Sequence, residues 1–203
     1  MRAFELSQID AQTVSNLIAS VTEAQAAQFC RTCSGGNPRC HDGYNGHYDG
    51  WSPAIGRDLT THFATQGITS FSKWGTSSGN EFLLDFVLFE AEMDNGNPRN
   101  IVRTILGMEV EWDVQVPDAG SERDFNKLLC FNAPLKVFVY TCAARNRFSF
   151  EISIEQRLRQ FDGHKEGDEY LIIEFYWRKT SWLRKKRLFR IQNERLCELP
   201  KLK

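Results

Sequence analysis

The chain lacks any run approaching 18 consecutive apolar residues, which excludes a membrane-spanning helix from the expectation. Its opening residues, MRAFELSQIDAQ, lack the apolar core of a secretion signal, so a cytoplasmic protein with no membrane partner is expected. Neither sign of charge is in excess: 25 Lys and Arg face 26 Asp and Glu, for a formal net charge of −1. That excludes a globally basic nucleic-acid binder. The sequence has no internal repeat and no low-complexity tract, so solenoids and disordered tails are set aside. It contains no phosphate-binding P-loop and no dinucleotide G-x-G-x-x-G. The four histidines, His41, His47, His62 and His164, are too scattered for a catalytic triad, and His164 is expected to face solvent.

What is present suits one ordinary domain. The 203 residues are 41% hydrophobic and 12% aromatic, enough for a sizeable core. The near-zero charge also hides a split. Residues 178–203 carry ten Lys and Arg against two Asp and Glu, so the rest of the chain is strongly acidic. Within this tail Arg184, Lys185, Lys186, Arg187 and Arg190 alternate with Trp182 and Phe189. Cations for phosphates and aromatic rings for bases are what nucleic acid engages, and DNA is the expected polyanion. A solvated strand with core aromatics would give the same pattern.

Five of the six cysteines fall into two groups, and Cys197 stands apart. Cys130 and Cys142 lie in apolar stretches and read as core thiols. Cys30, Cys33, Cys40 and His41 are clustered, with His47 close behind. A C-x-x-C pair supplies two zinc ligands from one turn, and Cys40 with His41 or His47 could complete a tetrahedral structural Zn2+ site. Reduced thiols in a loop are the alternative. The surrounding residues 30–53 are dense in Gly, Asn-Pro and Asp-Gly, which predicts a long ordered loop.

The periodicities predict one or two helices over 9–29 and a helix over 58–67 closed by Gly67. Strands follow at 68–74, 81–90 and 100–113, with a turn at 94–98, and read as an antiparallel meander. A helix over 121–131 precedes a strand at 135–142 that is a nearly continuous apolar run and so reads as buried on both faces. Residues 149–161 fit both periods, and helix is preferred because Phe150, Ile154, Leu158 and Phe161 recur at its spacing. Strands at 169–178 and 187–193 complete the order. This predicts an α/β sandwich around a mixed sheet flanked by helices. Residues 1–57 form an N-terminal helical and loop extension, and residues 58–203 form the core with its basic C-terminal segment.

Three carboxylates sit where carboxylates are costly. Asp85 lies in EFLLDFVLFE, and Glu109 and Glu111 flank Val110 in the next strand. Alternation puts Glu109 and Glu111 on one face, and a hairpin could bring Asp85 beside them. Converging acids repel unless a cation joins them, and a hard divalent ion with oxygen ligands resolves the conflict. Outward-facing acids on an amphipathic sheet are the alternative.

Asp85, then Glu109-Val110-Glu111, then a helix bearing Lys127, resembles the PD-(D/E)xK nuclease superfamily, the restriction-endonuclease-like fold. The resemblance covers roughly residues 58–141. It implies a core of order α–β–β–β–α–β and Mg2+-dependent (or Mn2+-dependent) hydrolysis of DNA phosphodiester bonds. Asp85, Glu109 and the Val110 carbonyl would hold the metal, and Glu111 would hold a second metal or orient the attacking water. Two departures stand out: Leu84 replaces the Pro, and Glu111 replaces the Lys. Lys127 is the candidate for a lysine supplied from the following helix, with Lys136, read as a strand-edge lysine, as runner-up. The missing strand lysine equally fits a catalytically silent interaction module on the same fold. A glycoside hydrolase using Glu109 and Glu111 as paired carboxylates is a weaker reading. A homodimer is kept open as the assembly.

Overall fold

A computed structural model describes residues 9–32, 50–74, 84–95, 97–114, 119–142, 147–178 and 181–200. The elements run α1 (Ala11–Thr32), α2 (Trp51–Ala64), β1 (Thr69–Ser72), β2 (Phe86–Asp94), β3 (Asn97–Val114), α3 (Ala119–Cys130), β4 (Leu135–Cys142), α4 (Arg147–Gln160), β5 (Glu169–Arg178), β6 (Ser181–Gln192) and β7 (Arg195–Glu198). The strands form one mixed seven-stranded sheet in chain order. β1, β2 and β3 pair antiparallel, β3, β4 and β5 pair parallel, and β6 and β7 return antiparallel. Parallel neighbours need a crossover, and α3 and α4 provide the two.

Alternation along the strands divides the core into two layers. Phe86, Leu88, Met108, Val110, Val137, Val139, Leu171 and Ile173 meet Val14 and Ile18 of α1 and Ile55, Leu59 and Phe63 of α2. On the other face Val87, Phe89, Phe138, Tyr140, Tyr170 and Ile172 meet Phe125 and Leu128 of α3 and Phe150, Ile154 and Leu158 of α4. β4 is buried on both faces, as its nearly continuous apolar run suggests. Phe150, Ile154 and Leu158 face the sheet while Phe148 and Ile152 are exposed, so helical spacing prevails over the alternation in α4.

The C-terminus of α2 follows from Gly67. Ile68 N–H donates to the Phe63 carbonyl and Gly67 N–H to the Ala64 carbonyl, and Gly67 adopts φ +73°. These are the two reciprocal bonds of a Schellman cap, with Phe63 and Ile68 both in the core. No helix among the described residues is long and apolar enough to cross a membrane.

Several expectations need correction. α2 begins at Trp51, not at residue 58. Pro53 falls in its first turn, where a missing N–H is harmless, so the proline that reads as loop is compatible with helix. β6 is twelve residues long, and β7 is an additional strand. Asn193 and Glu194 both take positive φ between them, as a two-residue hairpin turn demands. Cys130 is exposed, because Leu128 and Leu129 take the core side of α3. Lys136 is not at a strand edge: it lies in the central strand β4, 3% exposed, with Nζ bonded to the Ala133 carbonyl and to Asp168 at 2.9 Å each. His164 is half-buried, with its ring nitrogens 2.7 Å from the Tyr170 hydroxyl and 2.6 Å from the Leu158 carbonyl. The expected zinc site lies outside the described residues, since Cys33, Cys40, His41 and His47 are beyond them and only the backbone of Cys30 falls within α1.

Candidate active site

The parallel strands β3, β4 and β5 end on one side of the sheet, and a cleft lies at the end of β3 against α3. Open α/β sheets place ligands at the carboxyl ends of strands in this way. The cleft is lined by Lys73, Asp85, Glu109, Glu111, Arg123, Asp124 and Lys127. The three acids singled out from sequence are therefore neighbours, together with Lys127. Lys73, Asp124 and Arg123 join them from positions that sequence reasoning did not mark.

Asp85 precedes β2 and is 2% exposed. The ladder between β2 and β3 stops at the Phe86–Met108 pair. Beyond it, Asp85 Oδ2 accepts the Val110 N–H at 2.9 Å. Its carboxylate thus takes over where β2 no longer offers a carbonyl. Val110 turns its side chain into the α1/α2 layer, and its N–H and carbonyl share the strand edge that Asp85 faces. Asp85 Oδ1 forms a salt bridge with Lys73 Nζ, and the Lys73 N–H donates to the Asp85 carbonyl at 3.1 Å. The chain just after β1 is thereby fastened to the site. Burial works against the Lys73 ammonium, but Asp85 outweighs it and raises the pKa.

Glu109 and Glu111 project toward α3, as strand alternation requires. Gly107, two residues earlier, is why α3 can end so close. A Cβ there would stand 2.7 Å from Leu84 Cδ1 and 2.7 Å from Phe131 Cδ1. Glu109 is 1% exposed, and its Oε1 lies 3.0 Å from Lys127 Nζ. Lys127 also reaches Asp124 Oδ1 at 2.8 Å, one helical turn away. Burial first, and the Asp85 charge second, raise the Glu109 pKa to about 8. Glu111 is likewise raised to about 8, by burial first and then by its hydrogen bond and charge contact with Asp124. Asp124 resists its own burial through hydrogen bonds to Lys127 and Glu111 and stays below the ordinary value. Lys127 is raised in turn, burial being outweighed by Asp124 and Glu109.

Charge counting explains these shifts. Four carboxylates face the ammonium groups of two half-buried lysines, with the Arg123 guanidinium outside, 3.9 Å from Asp124 and largely exposed. Protons on Glu109 and Glu111 make up the balance at neutral pH. The donor set is of hard oxygens, which suits magnesium rather than a soft metal. Glu109 Oε1 already has the Lys127 ammonium as its cation at 3.0 Å. Among the described residues no three His, Cys, Asp or Glu side chains are arranged to hold a metal ion. Ammonium groups stand against Asp85 and between Glu109 and Asp124 instead.

Residues 184–190 lie in β6, and most of their charge is neutralised within the fold. Arg187 bonds Glu151, Glu155 and Glu198 at 3.0, 2.9 and 2.8 Å. Lys185 also pairs with Glu151, and Arg190 with Glu169. Arg184 lies 3.7 Å from Glu23, and burial lowers the pKa of Lys186. Phe189 is core, 1% exposed, and Arg187 lies over its ring. No family model, no curated protein and no solved structure matches this chain.

Proposed function

We propose that the protein is a metal-dependent nuclease that hydrolyses DNA phosphodiester bonds on a restriction-endonuclease-like core. The observation that carries this reading is the meeting of Asp85, Glu109, Glu111 and Asp124 with Lys73 and Lys127 in one cleft at the end of β3. The order α2–β1–β2–β3–α3–β4 supports it, being the order of helix and strands that the resemblance implies. So does the supply of an amine from α3 beside Glu109, since Glu111 occupies the strand position where the family carries lysine.

Asp85, Glu109 and the Val110 carbonyl would hold magnesium, which when bound polarises the scissile phosphate and lowers the pKa of an attacking water. Glu111, hydrogen-bonded to Asp124, would orient that water, and would accept its proton only once ionised, above its pKa of about 8 or when a bound cation displaces its own proton. Lys127 neutralises charge that grows on the phosphoryl oxygens as the water attacks. Lys73 pairs with Asp85 and adds a second cation to a cleft that must receive a polyanion.

The test is cleavage of duplex, single-stranded DNA and RNA with magnesium, with manganese and with EDTA. Metal-dependent cutting is expected, and Asp85→Asn or Glu109→Gln should reduce it by more than about a hundredfold. Asn at position 85 is preferred over Ala because its side-chain oxygen still accepts the Val110 N–H. No metal-dependent cleavage on any of these substrates refutes the proposal. In that case the silent interaction module, which the neutralised tail and Glu111 in place of lysine favour, becomes the better reading.

A further inference from the structure

The sheet carries a second buried carboxylate in line with the cleft, and it belongs to none of the roles above. Glu111 pairs in register with Tyr140 of β4, and Tyr140 with Glu174 of β5. All three sit on the α3/α4 face of the sheet. Adjacent strands are about 4.8 Å apart, so Glu174 lies about 10 Å from Glu111 across the ends of the parallel strands. Glu174 is 2% exposed, and its Oε1 accepts from Arg147 Nε at 2.6 Å. Its Oε2 is buried without a hydrogen-bond partner.

Arg147 is the first residue of α4. Its guanidinium carbon lies 3.7 Å from the centre of the Tyr176 ring, and its side chain keeps 29% of its surface exposed. Glu174 engages it through Nε, on the side-chain flank of the guanidinium. An arginine fixed by a carboxylate beneath it and by a ring against its plane is preorganised for a second anion. This arrangement differs from that of Arg187 in β6. Arg187 has its charge surrounded by three glutamates, whereas among the described residues Arg147 has one ion-pair partner, Glu174.

The geometry points to Arg147 as a phosphate-binding residue of the substrate site, gripping a backbone phosphate a few nucleotides from the scissile one. Glu174 is its positioning residue. This rests on the nuclease reading and specifies how that cleft would hold a polynucleotide rather than a small phosphodiester. A strand of nucleic acid presents one phosphate per about 3.4 Å of helix axis, so a 10 Å offset spans about three phosphates of duplex rise. Phosphates outside the cleft then contribute to binding, and the one over Arg147 contributes through a charged, geometrically fixed contact.

The experiment is a methylphosphonate scan. A short oligonucleotide substrate carries one neutral linkage at each position on either side of the cleavage site in turn, and KM and kcat are measured separately. The wild-type protein should show a rise in KM of about ten- to hundredfold at one flanking position, as loss of a charged hydrogen bond predicts. Arg147→Lys, which keeps the charge but not the Nε contact, should raise KM for the native substrate and show a much reduced penalty at that position. Removing Arg147 alone strands Glu174 and endangers folding, so the second variant is Arg147→Met with Glu174→Gln, whose penalty should vanish. Glu174→Gln by itself should shrink the penalty at the same position and at no other, which a merely structural role would not do. A wild-type protein that cuts none of the substrates overturns the nuclease reading and this one with it. A wild-type protein that cuts, with variants that respond to every neutral linkage as it does, overturns the Arg147 assignment alone.

Discussion

The protonated state of Glu109 and Glu111 predicts that the metal-free protein loses stability as pH rises through neutrality. Both carboxyls have a folded-state pKa of about 8, against an ordinary value of 4.5. The folded state therefore binds more protons than the unfolded state throughout the interval between those values. Stability falls with pH wherever that holds, at up to about 1.4 kcal/mol per pH unit per group. Between about pH 6 and pH 8 the integrated loss is roughly 2 kcal/mol for each glutamate if they titrate independently. The two share the Asp85 and Asp124 charges, so the pair gives up its protons in steps, and several kcal/mol is the upper bound for both. Burial also raises the Glu174 carboxyl, which acts in the same direction. Urea unfolding of EDTA-treated protein across this range, read by tryptophan fluorescence, measures the effect. Glu109→Gln should be more stable than wild type at the alkaline end and should flatten the slope. A wild-type stability that is level or rises between pH 6 and pH 8 would refute the charge imbalance inferred for the cleft. If magnesium binds these carboxylates, its addition should restore most of the loss at pH 8 and little at pH 6.

Two further outcomes follow from packing and pairing. Gly107→Ala should lower stability by about 1–3 kcal/mol, because its Cβ would meet Leu84 and Phe131 at 2.7 Å and push the end of α3 away from Glu109; unchanged thermal denaturation would show that the contact relaxes freely. Arg187→Ala should cost about 2 kcal/mol or more by leaving Glu151, Glu155 and Glu198 without their shared cation. If Arg187 were instead chiefly a nucleic-acid contact, its loss would weaken DNA binding while leaving the melting temperature intact.

The fold was legible where one hydrophobic period dominated. LKVFVYTC and EYLIIEFYWR are β4 and β5 with the bounds read from sequence, because strands buried on both faces read as nearly continuous apolar runs. Gly67 marked the end of α2 because only glycine takes that backbone conformation without strain. The start of α2 was not legible, since Gly50 and Pro53 suit a loop and a first helical turn equally well. β7 was missed for a similar reason: RLCE is short, and two of its four residues are exposed.

By itself the sequence determined the alternation of strands and helices, and with it the mixed sheet. It also determined that Glu109 and Glu111 share a face, since period two is a property of any strand. Only the tertiary structure decided which charges meet. Lys73 is twelve residues from Asp85 and Asp124 thirteen from Glu111, and no local period links them. They converge because β2 leaves the ladder at Asp85 and because Gly107 lets α3 close over β3. The same holds for the basic tail. Its composition suggested a surface for a polyanion, but the partners of its cations come from α1, α4, β5 and β7, and pairing across the fold turned much of that charge inward. Charge is additive along a sequence, whereas its neutralisation depends on distance, and distance is set only when the chain has folded.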